Sequence, residues 1–155
     1  MKHFLLKIFN ILPLHDITTD VADPPEFTSG LKNRSRSINS LQYGGESVAK
    51  MQRLAYPDIK TITVNKTPEQ AYQIANKVVI KLGWEISETN KSLFTIEAVD
   101  TTRIFGFKDD IIIRIRANEN GSQIDIRSLS RIGTSDFGAN AKRIRHFIQA
   151  FRNEL

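Results

Sequence analysis

The stretch Asp110–Ser130, DIIIRIRANENGSQIDIRSLS, decides the fold of this chain. Ile111, Ile113 and Ile115 point one way while Ile112, Arg114 and Arg116 point the other, the two-residue period of a half-exposed strand. Asn118-Glu119-Asn120-Gly121 is a hairpin turn signal, and Ile124 and Ile126 carry the apolar face along a second strand up to Ser128. Charge argues the register. A two-residue connection at Glu119-Asn120 or Asn120-Gly121 includes a pairing that sets Arg114 opposite Arg127, which is unfavourable, whereas a four-residue loop sets Arg114 opposite Asp125. The second register is expected.

Working outward, a short β-branched strand is expected near Ile59–Val64, where Ile62 and Val64 alternate with Thr61 and Thr63. A helix follows it directly. Thr67 is an N-cap candidate, Pro68 suits the first helical position and Gln70 completes a capping box; Ala71, Ile74, Ala75, Val78 and Leu82 then share one face until Gly83 stops the helix. Trp84 and Ile86 start another strand, Asn90-Lys91 turns, and Phe94, Ile96 and Ala98 form its hairpin partner. Beyond the deciding hairpin, Phe137, Ala141, Ile144, Ile148, Phe151 and Leu155 recur at helical spacing, with Ser135 or Asp136 as the cap and Gly138 allowing close backbone approach. The fold class expected is therefore α+β in the order β-α-β-β-β-β-α, a curved antiparallel sheet packed by two helices, as in helix-grip and TATA-binding-protein-like folds.

With 155 residues, 40% of them hydrophobic, the chain can bury one core, and a single soluble domain over residues 53–155 is expected behind an N-terminal stretch, 1–52, holding a short helix and an extended arm. Asp16 to Met51 carries Asp23-Pro24-Pro25, Ser29-Gly30, Asn33-Arg34-Ser35-Arg36-Ser37 and Gly44-Gly45 without an apolar period, which reads as a solvated arm wrapped over the domain. The apolar run Phe4 to Leu14, broken by Lys7, Asn10 and Pro13, is too short to span a bilayer and lacks a cleavage site, so neither a transmembrane helix nor a signal peptide is expected. It suits a packed helix or a peripheral membrane contact, and the expected location is cytoplasmic or at a membrane surface.

The chain has no cysteine, and His3, His15 and His146 lack metal-ligand spacing, so disulfides, thiol nucleophiles, metals and cofactors are not expected. Its net charge of +5 favours anionic partners, yet no basic run is interleaved with aromatics, which argues against nucleic acid.

The richest segment joins Phe105-Gly106-Phe107-Lys108-Asp109-Asp110, the run Arg127-Ser128-Leu129-Ser130-Arg131-Ile132-Gly133-Thr134-Ser135-Asp136-Phe137-Gly138-Ala139-Asn140, and Arg143-Ile144. Here the sequence resembles the bacterial and plastid family called domain of unknown function 1499 (DUF1499), whose signature looks like Phe-x-Asp-Asp, Arg-Ser-x-Ser-Arg-x-Gly-x-Ser-Asp-x-Gly-x-Asn and Arg-Ile. Asp16 to Phe27 and Ala55 to Ile59 resemble a subgroup, extending the similarity over residues 16–155. The Pro-x-Cys-Val-Ser-Ser segment of other members is absent, and their N-terminal span is reduced to Phe4–Leu14. The resemblance implies a fold and a motif, with no activity attached.

Physically, Asp136, Asn140 and Arg143 share a helical stripe, while Asp109 and Asp110 open one strand where Arg127, Ser128, Ser130 and Arg131 close its partner. These residues and Ser135 are the candidate polar cluster. One reading is a structural network of carboxylates and guanidiniums; another is a pocket for the anionic head of a small molecule or lipid, making a non-catalytic binding module. Adjacent Asp109 and Asp110 should face opposite sides of the sheet, which weakens an enzyme using the Asp, Arg and Ser cluster. Nucleic-acid binding through the basic arm is the remaining alternative.

Overall fold

The computed structural model describes residues 12–28, 34 and 39–155. The helix expected over Phe4–Leu14 lies outside them apart from its last three positions, as do Ser29-Gly30, Asn33 and Ser35–Ser37 of the arm. The described elements are β1 (Asp16–Thr18), α1 (Glu46–Ala55), β2 (Ile62–Val64), α2 (Pro68–Lys81), β3 (Glu85–Asn90), β4 (Thr95–Thr101), β5 (Lys108–Asn118), β6 (Gly121–Ser130) and α3 (Ala139–Asn153). The fold is α+β, and from β2 onward the order is the expected one. The six strands form one antiparallel sheet ordered β1-β6-β5-β4-β3, and β2 pairs with the edge of β6 that β1 also occupies.

Local chemistry explains the central elements. In α2 the Thr67 hydroxyl accepts from Gln70 N, the Gln70 side chain accepts from Thr67 N, and Pro68 begins the helix. Register between β5 and β6 sets Arg114 opposite Asp125, as charge requires, but Asn118 pairs with Gly121, so the connection is the two-residue Glu119-Asn120 turn and not a four-residue loop. Gly121 is needed there. Its φ is 136°, and a Cβ would stand 2.4 Å from Val64 O, where the chain passes from β2 towards α2.

One face of the sheet carries the core. Ile96, Ile111, Ile113, Ile115, Ile124 and Ile126 pack beneath Ala71, Ala75, Val78 and Val79 of α2 and Ala141, Ile144, Phe147 and Phe151 of α3. Phe147 replaces two residues expected on that helical face, since Phe137 and Leu155 are exposed. Phe137 precedes the first helical residue and has φ 53°, so the helical phase does not reach it.

Residues before β2 are built into the domain as well, which corrects the picture of a solvated arm. Asp16–Thr18 is an edge strand of the sheet, and Glu46–Ala55 is a helix whose residue Gln52 lies where the expected domain division falls. Gln52 accepts from Thr18 N at 3.0 Å and donates to Thr18 O at 2.7 Å, satisfying backbone groups that an edge strand leaves open.

Candidate functional site

Strand parity sorts the polar residues onto two faces. Alternation along β6 turns Ser128 and Ser130 towards the helices with Ile124 and Ile126, and turns Asp125 and Arg127 away; along β5 it turns Asp109 in and Asp110 out. The adjacent aspartates therefore serve different clusters, as their spacing predicts.

On the helix face the corner is built around Arg143 of α3. Its Nη2 is 2.7 Å from Asp109 Oδ2, its Nε donates to Asp100 Oδ2 at 2.8 Å, and its Nη1 donates to Ser128 Oγ at 3.1 Å and Asn140 Oδ1 at 2.9 Å. Asn140 Oδ1 also accepts from Ser128 Oγ at 2.6 Å, while its Nδ2 donates to Ser130 Oγ and Asp136 Oδ2, each at 2.8 Å, and to His15 O at 3.2 Å. Asp136 prepares the helix start from outside it: Oδ1 accepts from Gly138 N at 2.8 Å and Oδ2 from Asn140 N at 3.1 Å, whereas Gly138 itself occupies the cap position. Burial pushes the Asp109 carboxyl above its usual range, outweighing the opposing pull of Arg143 and of a hydrogen bond from Ser130.

Three of the expected members lie on the other face. Arg127 holds Asp16 through both carboxylate oxygens, Nε to Oδ1 at 2.9 Å and Nη2 to Oδ2 at 2.7 Å, and donates to Pro25 O and Leu41 O. Its guanidinium carbon lies 5.0 Å from the Phe27 ring centroid and 5.6 Å from that of Tyr43. Asp110 accepts from Arg131 Nε at 3.0 Å and Nη2 at 2.8 Å, and from Arg34 Nε at 2.8 Å. Further along, buried Asp125 accepts from Thr19 and Thr61 hydroxyls at 2.8 and 2.5 Å and lies 3.4 Å from Arg114 and Arg116, which also reach Asp20. Ser135 stands in the β6–α3 connection, where its hydroxyl accepts weakly from Phe137 N at 3.4 Å.

The ten expected residues are thus placed as follows. Asp109, Ser128, Ser130, Asp136, Asn140 and Arg143 meet at one corner; Asp110, Arg127 and Arg131 are on the far face; Ser135 is beside the corner. Asp16, Asp100 and Arg34 were missed as partners. The parity of β6 alone, with Arg127 out of phase with Ile126, carried the signal that Arg127 leaves the corner. Asp100 and Arg34 offered no such signal, because only tertiary contact joins them to Arg143 and Asp110.

Beside the corner, between α3 and the start of β3, lies an open cleft of about 290 Å³ lined by Leu82, Trp84, Asp100, Lys142, Arg143 and His146. Lys142 and His146 are exposed on its helical wall. A larger groove of about 590 Å³, lined by Thr63, Val64, Asn65, Asn118, Glu119 and Asn120, has no cationic group. Among the described residues no three His, Asp or Glu side chains gather in a metal-binding group, and no helix is long and apolar enough to cross a membrane.

The family model described as "Protein of unknown function (DUF1499)" matches residues 16–151, from the start of β1 to Phe151 of α3, and the chain belongs to that family. No curated protein matches the sequence.

Proposed function

We propose that this DUF1499 member is a non-catalytic binding module that receives an anionic group, free or on an amphiphile, in the cleft beside the polar corner. The supporting observation is the division of labour in that corner. Asp109, Asp100 and Asp136 are each engaged by Arg143 or by α3 amide groups, so the carboxylates of the corner itself are held as structural partners. Next door the exposed Lys142 ammonium and the His146 ring flank Trp84. An anion entering there would meet Lys142 directly and the Arg143 guanidinium behind it, with the Trp84 edge and Leu82 offering apolar surface to an attached chain.

The reading is tested by following backbone amide and indole resonances while inorganic phosphate, then dodecyl phosphate, is added. Saturable shifts at Lys142, Arg143 and Trp84, lost in Lys142→Glu, are expected. Shifts absent from these residues, or unchanged in Lys142→Glu, would count against the cleft; hydrolysis of a phosphate or carboxylate ester that vanishes in a folded Asp109→Asn variant would establish catalysis instead.

A further inference from the structure

Of the nine large apolar side chains exposed among the described residues, five stand at one end of the sheet. Ile104 (86% exposed), Phe105 (74%) and Phe107 (51%) occupy the β4–β5 connection, and Ile132 (49%) and Phe137 (73%) the β6–α3 connection. Isolated exposed apolar residues are ordinary; five on two neighbouring loops are not. Arg131 N donates to Lys108 O at 3.2 Å and joins the two connections.

The tip is built. Thr102 N donates to Phe107 O at 2.8 Å, Gly106 N to Thr102 O at 3.0 Å and Phe107 N to Thr102 Oγ1 at 2.9 Å, and the Phe105 and Phe107 rings stack at 5.6 Å. Phe137 holds a left-handed φ of 53°, costly for an aromatic residue, while its ring gains little burial in return.

Charge and chain entry indicate what these loops meet. Arg103 and Lys108 bracket the tip, no Asp or Glu falls between them, and neither has a carboxylate partner among the described residues. The described chain also enters at this end: Asp136 N donates to Leu14 O at 2.9 Å, and the His15 ring lies 3.2 Å from Thr134 O. The sequence just before it, MKHFLLKIFNI, has the same composition of large apolar residues and lysines without an acid. We infer that this end of the molecule docks on an anionic phospholipid bilayer, with Ile104, Phe105 and Phe107 entering the interface and Arg103 and Lys108 lying against headgroup phosphates. Exposed apolar residues with a cation on either side of the β4–β5 tip suit a soft, extended, negatively charged surface. The inference is independent of the cleft.

Because the chain has no cysteine, Phe105→Cys and, at the far end of β4, Leu93→Cys can each carry a single environment-sensitive fluorophore on the 155-residue chain. With vesicles of phosphatidylcholine mixed with phosphatidylglycerol, the label at position 105 should shift to the blue and the label at 93 should not. Binding should weaken about fivefold for Arg103→Gln and again for Lys108→Gln, and should weaken on phosphatidylcholine alone. Lack of binding, binding without a shift at 105, or equal binding to both vesicles would overturn the inference, as would a dimer in vesicle-free solution abolished by Phe105→Ser, which would assign the patch to a second copy.

Discussion

The buried Arg127 guanidinium lies against the Phe27 and Tyr43 rings and is clasped by Asp16, 111 residues away in sequence. A buried charge is tolerated only when paired and hydrogen-bonded, and each of the three nitrogens of this guanidinium has a partner. Tyr43 feels the same enclosure. Burial foremost, and then the Asp16 carboxylate, push its phenol up to about 12. A phenol whose folded value exceeds its unfolded one, near 10, contributes stability that is complete below about pH 10 and lost as pH rises towards about 12. Burial raises Tyr56 as well, so absorbance titration should show late ionisation among the three tyrosines, and Tyr43→Phe should remove the step near 12. The substitution should change stability at neutral pH by less than about 0.5 kcal/mol, since the hydroxyl has no hydrogen-bond partner among the described residues. A titration curve unaltered in Tyr43→Phe would contradict the enclosure.

Elements with a local chemical signature were legible in the sequence, and those held by tertiary contact were not. Helix α2 has its capping box, its N1 proline and its glycine stop, and the β5–β6 register followed from placing Arg114 across from Asp125. Helix α1 begins after Gly45 with no side-chain cap and buries Gln52 where a hydrophobic residue would have signalled a face. Strand β1 has three residues and one apolar side chain, too little for a period. Gly121 shows the same limit. Its place in the turn was readable, but its second duty, clearing the backbone of residues 64–66, was not. Gly121→Ala should therefore destabilise by about 1–3 kcal/mol in urea unfolding, with strain and clash together. A loss below about 0.5 kcal/mol would mean that the β2–α2 passage yields easily.

Across the whole molecule, buried ion pairs fasten distant segments to both faces of one sheet. Arg143 ties α3 to β4 and β5 on the core side, while Asp110 and Arg127 pair with Arg34 and Asp16 on the other, where Asp125 also accepts a hydrogen bond from Thr19. The expected corner was half legible. Helical spacing gathered Asp136, Asn140 and Arg143, and strand parity separated Asp109 from Asp110; Asp100 and Asp16 joined only through the folded arrangement. Family membership leaves the chemistry open, so whether the corner acts as a clamp decides the functional reading. Exposed ion pairs are worth about 0–1 kcal/mol, whereas removing one partner of a buried pair costs about 3–5 kcal/mol. The most direct test is a double-mutant cycle in urea on Arg143→Met and Asp109→Asn. The clamp predicts that Arg143→Met costs at least about 1 kcal/mol less when Asp109 is already Asn; additive losses, within about 0.5 kcal/mol, would contradict it.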